Sequence, residues 1–341
     1  MNDTALLEAA RAGDEDAFAR LVEPHRRALH AHCYRMLGSV TDAEDALQDA
    51  LLNAWRALPK FEGRSSLRSW LYTIATNACL RATERRPKRV LPIDYAPAAD
   101  PHDGLDEPLV ESLWLEPYPD EGYGLEDGLA GPEARYEQRE SVELAFIAAL
   151  QHLPGRQRAV LILRDVLGFS ARETAAALEM SAPGVDSALQ RAHKAVDERL
   201  PSRSQQAVLS SLDDQALRDI VDRYVDAFER ADVDAVVEML AADGAFTMPP
   251  LPTWYRGREA VAAFLRKHVL APENRWRLVP ARANGQLAFG NYRWDEERQR
   301  FLPRSISVLT LDGERIAEIT TFLGPELLSR FGLPDEVPPG R

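Results

Sequence analysis

At 341 residues the chain is long enough for two or three domains, each with a core of its own. Its 45 % hydrophobic and 28 % charged residues exclude a disordered or fibrous chain, and no apolar run approaches the ~20 residues of a membrane span. The net charge of −13 opposes nucleic-acid binding only until it is divided: residues 91–140 carry 2 basic and 14 acidic side chains, whereas Lys60 to Arg89 hold 8 basic and 2 acidic.

The stretch from Met1 to Phe18 is acidic and helical in pattern, without the basic start and apolar run of a secretory signal, so a cytoplasmic protein without membrane contact is expected. Two cysteines, Cys33 and Cys79, lie far apart in sequence within helix-like segments and read as buried thiols of a reducing compartment. His25, His30, His32 and Cys33 crowd together, but helix positions one or two apart do not converge, so no metal is expected. With no GxxxxGK loop, GxGxxG run or GxSxG elbow, no cofactor is expected either.

From Thr41 to Leu58 a buried helical stripe recurs at Ala43, Ala46, Leu47, Ala50, Leu51, Ala54 and Leu58, with Thr41 and Glu44 spaced as a capping box. Asp45, Gln48, Asp49 and Arg56 take the opposite side. A second helix pattern, Leu67 to Arg85, buries Leu71, Ile74, Ala75 and Ala78 and presents Arg68, Asn77, Arg81 and Arg85. Residues 91–140 are rich in Pro, Gly and acid and predict an extended linker with little core. Within them the apolar cluster Leu113, Trp114, Leu115, Pro117, Tyr118 and Pro119 is more than a flexible tether needs.

Val142 to Leu200 reads as four short helices. Ser170 and Glu173 make a capping box, and Ser181 caps the next helix with Pro183 in its first turn. Two helices joined by so tight a turn, with small residues at Ala175 to Ala177, form a helix-turn-helix signal. Val185, Leu189, Ala192 and Val196 face inward, leaving Pro183, Ser187, Gln190, Arg191 and Lys194 to enter a major groove. Beyond Ser211 come helix patterns at Leu217 to Phe228, Val233 to Leu240 and Val261 to Val269, then strand patterns at 244–249, 275–283, 286–294, 304–311 and 314–322 with turns at Asn284-Gly285 and Asp312-Gly313. The expected fold class is therefore multidomain: two all-α domains, a helical bundle and a helix-turn-helix, followed by an α+β domain with a curved sheet. Its expected boundaries are 1–90, a linker 91–140, 141–200, a short linker 201–212, and 213–335.

The segments DAEDALQDALLNAWRAL, FEGRSSLRSWLYTIATNACLRATERR and LPGRQRAVLILRDVLGFSARETAAALEMSAPGVDSALQRA together resemble the bacterial sigma-70 family, in its extracytoplasmic function (ECF) subgroup, over roughly residues 5–90 and 140–200. FTMPPLPTWYRGREAVAAFL and RWRLVPARANGQLAFGNYRWD resemble a SnoaL-like domain of the NTF2-like cone fold, and WLEPYPD is similar to a linker motif of sigma factors carrying such an extension.

The resemblance implies core RNA polymerase and promoter DNA, duplex and melted, as partners. Asp45, Gln48 and Asp49 would meet core polymerase. Phe61, Arg64, Arg68, Asn77, Arg81, Arg85, Arg86, Lys88 and Arg89 would serve the −10 element, the amide holding an exposed base and the cations its phosphates. Arg172, Ser187, Gln190, Arg191 and Lys194 would serve the −35 element, where Gln and Arg present groups that read adenine and guanine. Asp186 and Ala188 depart from the commoner Lys or Arg and lower the phosphate attraction of this helix. A C-terminal pocket would draw on Phe246, Met248, Trp254, Phe264, His268, Trp276, Phe289 and Trp294, which serve equally well as ordinary core.

The implied function is promoter-specific transcription initiation by a non-enzymatic sigma factor whose SnoaL-like domain modulates activity, through a small-molecule ligand or an intramolecular contact. Two alternatives stand beside it. One is a ligand-responsive helix-turn-helix transcription factor, which has no use for residues 41–89. The other is a SnoaL-like isomerase or cyclase with a DNA-binding appendage, which needs an acid-base group in the cone that the sequence does not single out.

Overall fold

The computed structural model describes residues 3–121 and 141–339; the rest of the expected linker, 122–140, lies outside them. The described residues divide into two compact units. One draws on Met1–Arg89 and Gly122–Leu200, the other on Val90–Glu121 and Pro201–Arg341. Among the described residues no helix is long and apolar enough to cross a membrane.

The first unit is all helical. Helix α1 spans Asp3–Arg11 and α2 spans Glu15–Leu37, the latter capped by Asp14, whose carboxylate accepts the Ala17 N–H at 3.0 Å. Gly38 ends α2 at φ 71°, a left-handed conformation that suits glycine, and its N–H donates to the Tyr34 carbonyl. Helix α3, Val40–Ala57, starts at once: Ser39, not Thr41, is its N-cap and accepts the Asp42 N–H at 3.0 Å. The expected Thr41–Glu44 capping box therefore gives way to a cap two residues earlier, because the glycine reversal leaves only one more residue before the helix. Helix α4, Leu67–Arg85, begins at Ser66, which accepts the Ser69 N–H at 3.0 Å. Cys33 of α2 and Cys79 of α4 are free, fully buried thiols, and burial beside Cys33 holds the Cys79 thiol protonated.

A four-residue helix α5, Pro92–Tyr95, belongs to the second unit. The remainder of the first unit is α6 (Leu144–Gln151), α7 (Gly155–Leu161, continued by a wider turn over Ile162–Val166), α8 (Ala171–Leu178) and α9 (Ala182–Asp197). These are the four expected helices.

The second unit is built on one six-stranded sheet in the order β2-β1-β6-β5-β4-β3, from β1 Leu240–Thr247, β2 Trp254–Arg256, β3 Trp276–Ala283, β4 Gln286–Asp295, β5 Arg300–Asp312 and β6 Arg315–Leu323. Only the β1–β6 pair is parallel. Register shifts at Asn291/Tyr292 and Thr310/Leu311 add the local twist that curves the long strands. Helices α11 (Asp214–Glu229), α12 (Val233–Met239) and α13 (Arg258–Phe264) cover one face and share a core of Tyr224, Phe228, Phe246, Tyr255, Phe264, Phe289 and Ile319.

Two stretches expected as linkers are packed here instead. Residues 205–211 form helix α10, whose buried Gln205 exchanges hydrogen bonds of 2.7 and 2.9 Å with the Leu311 backbone, so Gln205 docks this segment onto β5. Val90–Glu121 runs over the same unit. Trp114, Leu115 and Tyr118 are buried, the Tyr118 N–H donates to Asn284 Oδ1 at 2.8 Å, and Asp120 accepts the Gly285 N–H at 2.8 Å. The turn that receives them is the Asn284-Gly285 hairpin, at φ 56° and 69°, which turns its amide groups toward this segment. The aromatic cluster thus overrides a composition that reads as tether. The last helix, α14 (Leu327–Arg330), and the tail beyond it cover the opposite sheet face, where Tyr292 donates to the Pro334 carbonyl at 2.7 Å.

Candidate nucleic-acid interface

Helix α3 carries its polar face as the sequence predicts: Asp45, Gln48 and Asp49 are exposed, opposite buried Ala43, Ala46, Leu47 and Ala50. Beside Gln48, between α2 and α3, lies a groove of about 930 Å³ whose apolar lining includes Phe18, Val22, Leu47, Leu51, Leu52 and Trp55. Leu52 is 47 % exposed, which an isolated fold does not require. Sequence reasoning missed this groove, although the signal was present: Leu52 and Trp55 fall outside the buried stripe yet are large and apolar.

At the N-terminal end of α3, Asp42 is buried and binds Arg89 through Nε at 3.0 Å and Nη2 at 2.6 Å. Arg86 joins the same carboxylate and also reaches Asp45 at 3.5 Å. Arg89 is 7 % exposed, so the expectation that it meets phosphate is corrected: it and Arg86 fasten the chain after α4 onto α3. Phe61 is corrected likewise. It is buried in the core formed by Leu21 and Leu58 and packs on Trp70 with ring centroids 4.8 Å apart.

Arg81 and Arg85 are exposed along α4, and Arg64 is exposed beside Glu62, to which its Nε donates at 2.6 Å. Asn77 is half-buried in a groove of about 730 Å³ that it shares with Arg81, Lys88, His152 and Arg156. Lys88 Nζ lies 2.6 Å from His152 Nδ1. Arg68 donates to the Leu167 carbonyl at 3.1 Å, with its guanidinium 5.1 Å from the ring centres of both Tyr72 and Phe169. His32, beneath Tyr72, is fully buried and bound to Thr76 at 2.8 Å; burial lowers its pKa to about 3, so it is a neutral packing element. Among the described residues no cluster of three or more His, Cys, Asp or Glu is arranged to hold a metal.

The helix-turn-helix forms as its caps dictate. Ser170 accepts the Glu173 N–H at 3.2 Å while Glu173 accepts the Ser170 N–H at 2.9 Å, which holds the Glu173 carboxyl below its usual range. Glu179 makes the left-handed turn at φ 53°, and Ser181 caps α9 by accepting the Gly184 N–H at 3.2 Å. Ser187, Gln190, Arg191 and Lys194 stand together on the exposed side of α9, with Arg172 exposed on α8. Ala188 is buried, so of the two departures from the basic pattern only Asp186 alters the surface charge.

In the second unit the expected pocket residues do not converge. Phe246, Met248, Phe264 and Phe289 are in the main core, with Trp276 against it, and His268 stacks on Phe264 at 5.5 Å with its pKa lowered by burial. Trp254 lies apart from them and donates to the Ala96 carbonyl at 2.7 Å. Trp294 is on the opposite sheet face, against Phe301 and Arg275. A period-two pattern broken by a bulge hides such face changes from the sequence. Two polar features went unpredicted. Asn291 donates to Ser305 and Ser307 at 2.9 and 2.8 Å, and Ser307 lies 2.9 Å from Thr321, all buried on the helix-covered face. Glu318 on β6 accepts from Thr320 at 2.9 Å, and burial pushes its carboxyl up; the register puts it on the other face.

Family models match in three places: Sigma-70 region 2 at residues 21–89, Sigma-70 region 4 at 143–196 and a SnoaL-like domain at 221–319. The chain is 43 % identical over 329 residues, 96 % of its length and 86 % of the relative's, to the ECF RNA polymerase sigma factor SigG of Mycobacterium tuberculosis. It is 29 % identical over 203 residues to the ECF RNA polymerase sigma-E factor of Escherichia coli, covering 59 % of this chain and 95 % of that one. The crystal structure of the Mycobacterium tuberculosis ECF sigma factor SigJ has the same fold, with a TM-score of 0.56, 21 % identity, and coverage of 91 % of this chain and 97 % of the other.

Proposed function

We propose the following division of labour for this chain, which belongs to the family of extracytoplasmic function RNA polymerase sigma factors. As a member it directs core RNA polymerase to promoters, and residues 1–90 carry the polymerase contact. Asp45, Gln48 and Asp49 supply the polar side of that contact, and Leu51, Leu52 and Trp55 receive an apolar ridge in the α2–α3 groove. The observation that carries this reading is the exposed Leu52 in an apolar groove next to an exposed acid-amide face. Arg64, Arg68, Asn77, Arg81, Arg85 and Lys88 serve the −10 element, and Arg172, Ser187, Gln190, Arg191 and Lys194 of residues 141–200 serve the −35 element.

Residues 213–335, with the segment 90–121 packed into the same unit, modulate initiation by limiting how far the two promoter-reading halves separate. A free tether from 91 to 140 would impose little restraint. With 118–120 held by Asn284 and Gly285, that stretch is withdrawn from the tether and the reach between the two halves is shortened. The test is transcription with core polymerase on one promoter by the full chain, by a chain stopped after Leu200, and by Asp120→Ala with Asn284→Ala. Altered output from the last two supports the restraint. Equal output from all three removes the modulatory role.

A further inference from the structure

Asp186 brings a negative charge to the outward side of α9, and no neighbouring side chain on that helix cancels it. It is exposed, and among the described residues it takes part in no ion pair and no side-chain hydrogen bond. Its helix neighbours three and four residues away are Ala182, Pro183, Leu189 and Gln190, none of them a cation. Other charged groups of the motif are committed elsewhere: Glu173 closes the Ser170 capping box, and His193, further along α9, is bound to Asp165. Nor does the carboxylate serve as a cap. Asp186 lies past the first turn of α9, where the helix dipole favours an acid, and Ser181 already accepts the Gly184 N–H.

Helical geometry sets this acid on one flank of the outward face. At about 100° per residue, Asp186 and Arg191 stand about 140° apart around the axis, with Ser187 and Gln190 between them. The carboxylate is thus held away from the guanidinium, and carried into a groove walled by phosphates it is repelled unless it finds a hydrogen-bond donor there. Base edges in the major groove offer two: the N4 amino group of cytosine and the N6 amino group of adenine. Adenine sets the N7 lone pair beside N6, which repels a carboxylate, whereas cytosine has only a C–H beside N4. Guanine and thymine present the acceptors N7, O6 and O4, which a carboxylate cannot use.

We propose that Asp186 is a specificity-determining residue, selecting cytosine at one position of the −35 element by accepting a hydrogen bond from its N4 amino group. This role rests on the reading of α9 as the −35 helix. The acid lowers attraction to phosphate on every sequence and restores affinity only where cytosine stands, so discrimination rises as non-specific binding falls. A lysine or arginine at this position would do the reverse.

The test is selection from duplex promoters randomised across the −35 element, by the full chain bound to core RNA polymerase, comparing the native chain with Asp186→Ala, Asp186→Asn and Arg191→Ala. The native chain should enrich cytosine at one position by about tenfold over the other bases. Asp186→Ala should flatten that position alone, and Asp186→Asn should move it to adenine, whose N6 and N7 an amide pairs. Both should bind promoters lacking the cytosine more tightly than the native chain does, because a negative charge is gone. Arg191→Ala should keep the cytosine and lose a preference at another position. Every positional preference kept in both Asp186 variants, with binding tightened equally on all sequences, overturns the assignment and leaves Asp186 a solvated charge. If Arg191→Ala also keeps every preference, α9 does not read the −35 element and the role of Asp186 falls with that reading.

Discussion

Asp42 offers the sharpest division between a structural and a DNA-contacting role for the basic cluster after α4. Its carboxylate is 7 % exposed and faces an Arg89 side chain that is 7 % exposed, with Arg86, 41 % exposed, completing the group. Asp42→Ala leaves the Ser39 cap intact, since that bond uses the backbone N–H, but removes the buried carboxylate that both Nε and Nη2 of Arg89 hold. Breaking a buried pair in this way costs about 3–5 kcal/mol, and the partly exposed Arg86 does not reduce that cost because it is itself a cation. At ~1.4 kcal/mol per factor of ten, even the lower figure raises local opening by about two orders of magnitude. Hydrogen exchange followed by mass spectrometry on peptides from α3 and α4 of the full chain reads this opening directly and needs no two-state assumption. Protection should fall by about a hundredfold in those helices and remain unchanged in β4 and β5. A fall of less than about fivefold, under ~1 kcal/mol, would refute the argument and return Arg89 to the pool of groups available to phosphate.

Arg81→Ala should weaken DNA binding by the polymerase-bound chain about equally on all sequences, lower the salt slope by about one and leave thermal stability unchanged; Arg191→Ala should cost about 1–3 kcal/mol at selected base pairs only. Leu52→Asp puts a charge into the α2–α3 groove without touching the core, so core-polymerase affinity in a binding titration should fall at least about tenfold with unaltered folding, and unchanged affinity removes the groove from the interface. Glu318 has its pKa raised in the folded state, so its contribution to stability is full below the ordinary carboxylate range and is lost as pH rises through the raised value. Glu318→Gln should accordingly stabilise the second unit at neutral pH and little at acid pH, and a melting curve shifted equally at both would contradict this. His32 gives the opposite slope: lowered to about 3, it contributes stability above its ordinary 6.5 that is lost as pH falls toward 3, so the first unit should soften over that range and less so in His32→Gln.

Much of this was legible in the chain, for identifiable reasons. The α8–α9 turn carries its own caps, Ser170 and Ser181, and a local hydrogen bond that satisfies a helix end needs no tertiary information. The Asn284-Gly285 hairpin is equally local. What escaped was set by contacts distant in sequence. Residues 90–121 compose like a tether, and the receiving turn at Asn284 makes Tyr118 and Asp120 structural. Arg89 looks like its neighbours Arg85 and Lys88 until Asp42, 47 residues away, claims it. Phe61 and Trp294 are aromatic in either role, and which face of the core or sheet they occupy is decided by packing and by a bulge rather than by their own type.

The central claim is that this one chain confers promoter selectivity on core RNA polymerase through two separate surfaces, on α4 and on α9. Nuclease footprinting of the reconstituted holoenzyme, on fragments that it transcribes from a genomic pool, tests that claim most directly. The account predicts transcripts from defined start sites absent with core alone, and two protected segments upstream of each, the one nearer the start site lost with Arg81→Ala and the farther one lost with Arg191→Ala. Transcription no greater than that of core alone, or a single protected segment sensitive to only one of the two substitutions, would contradict it.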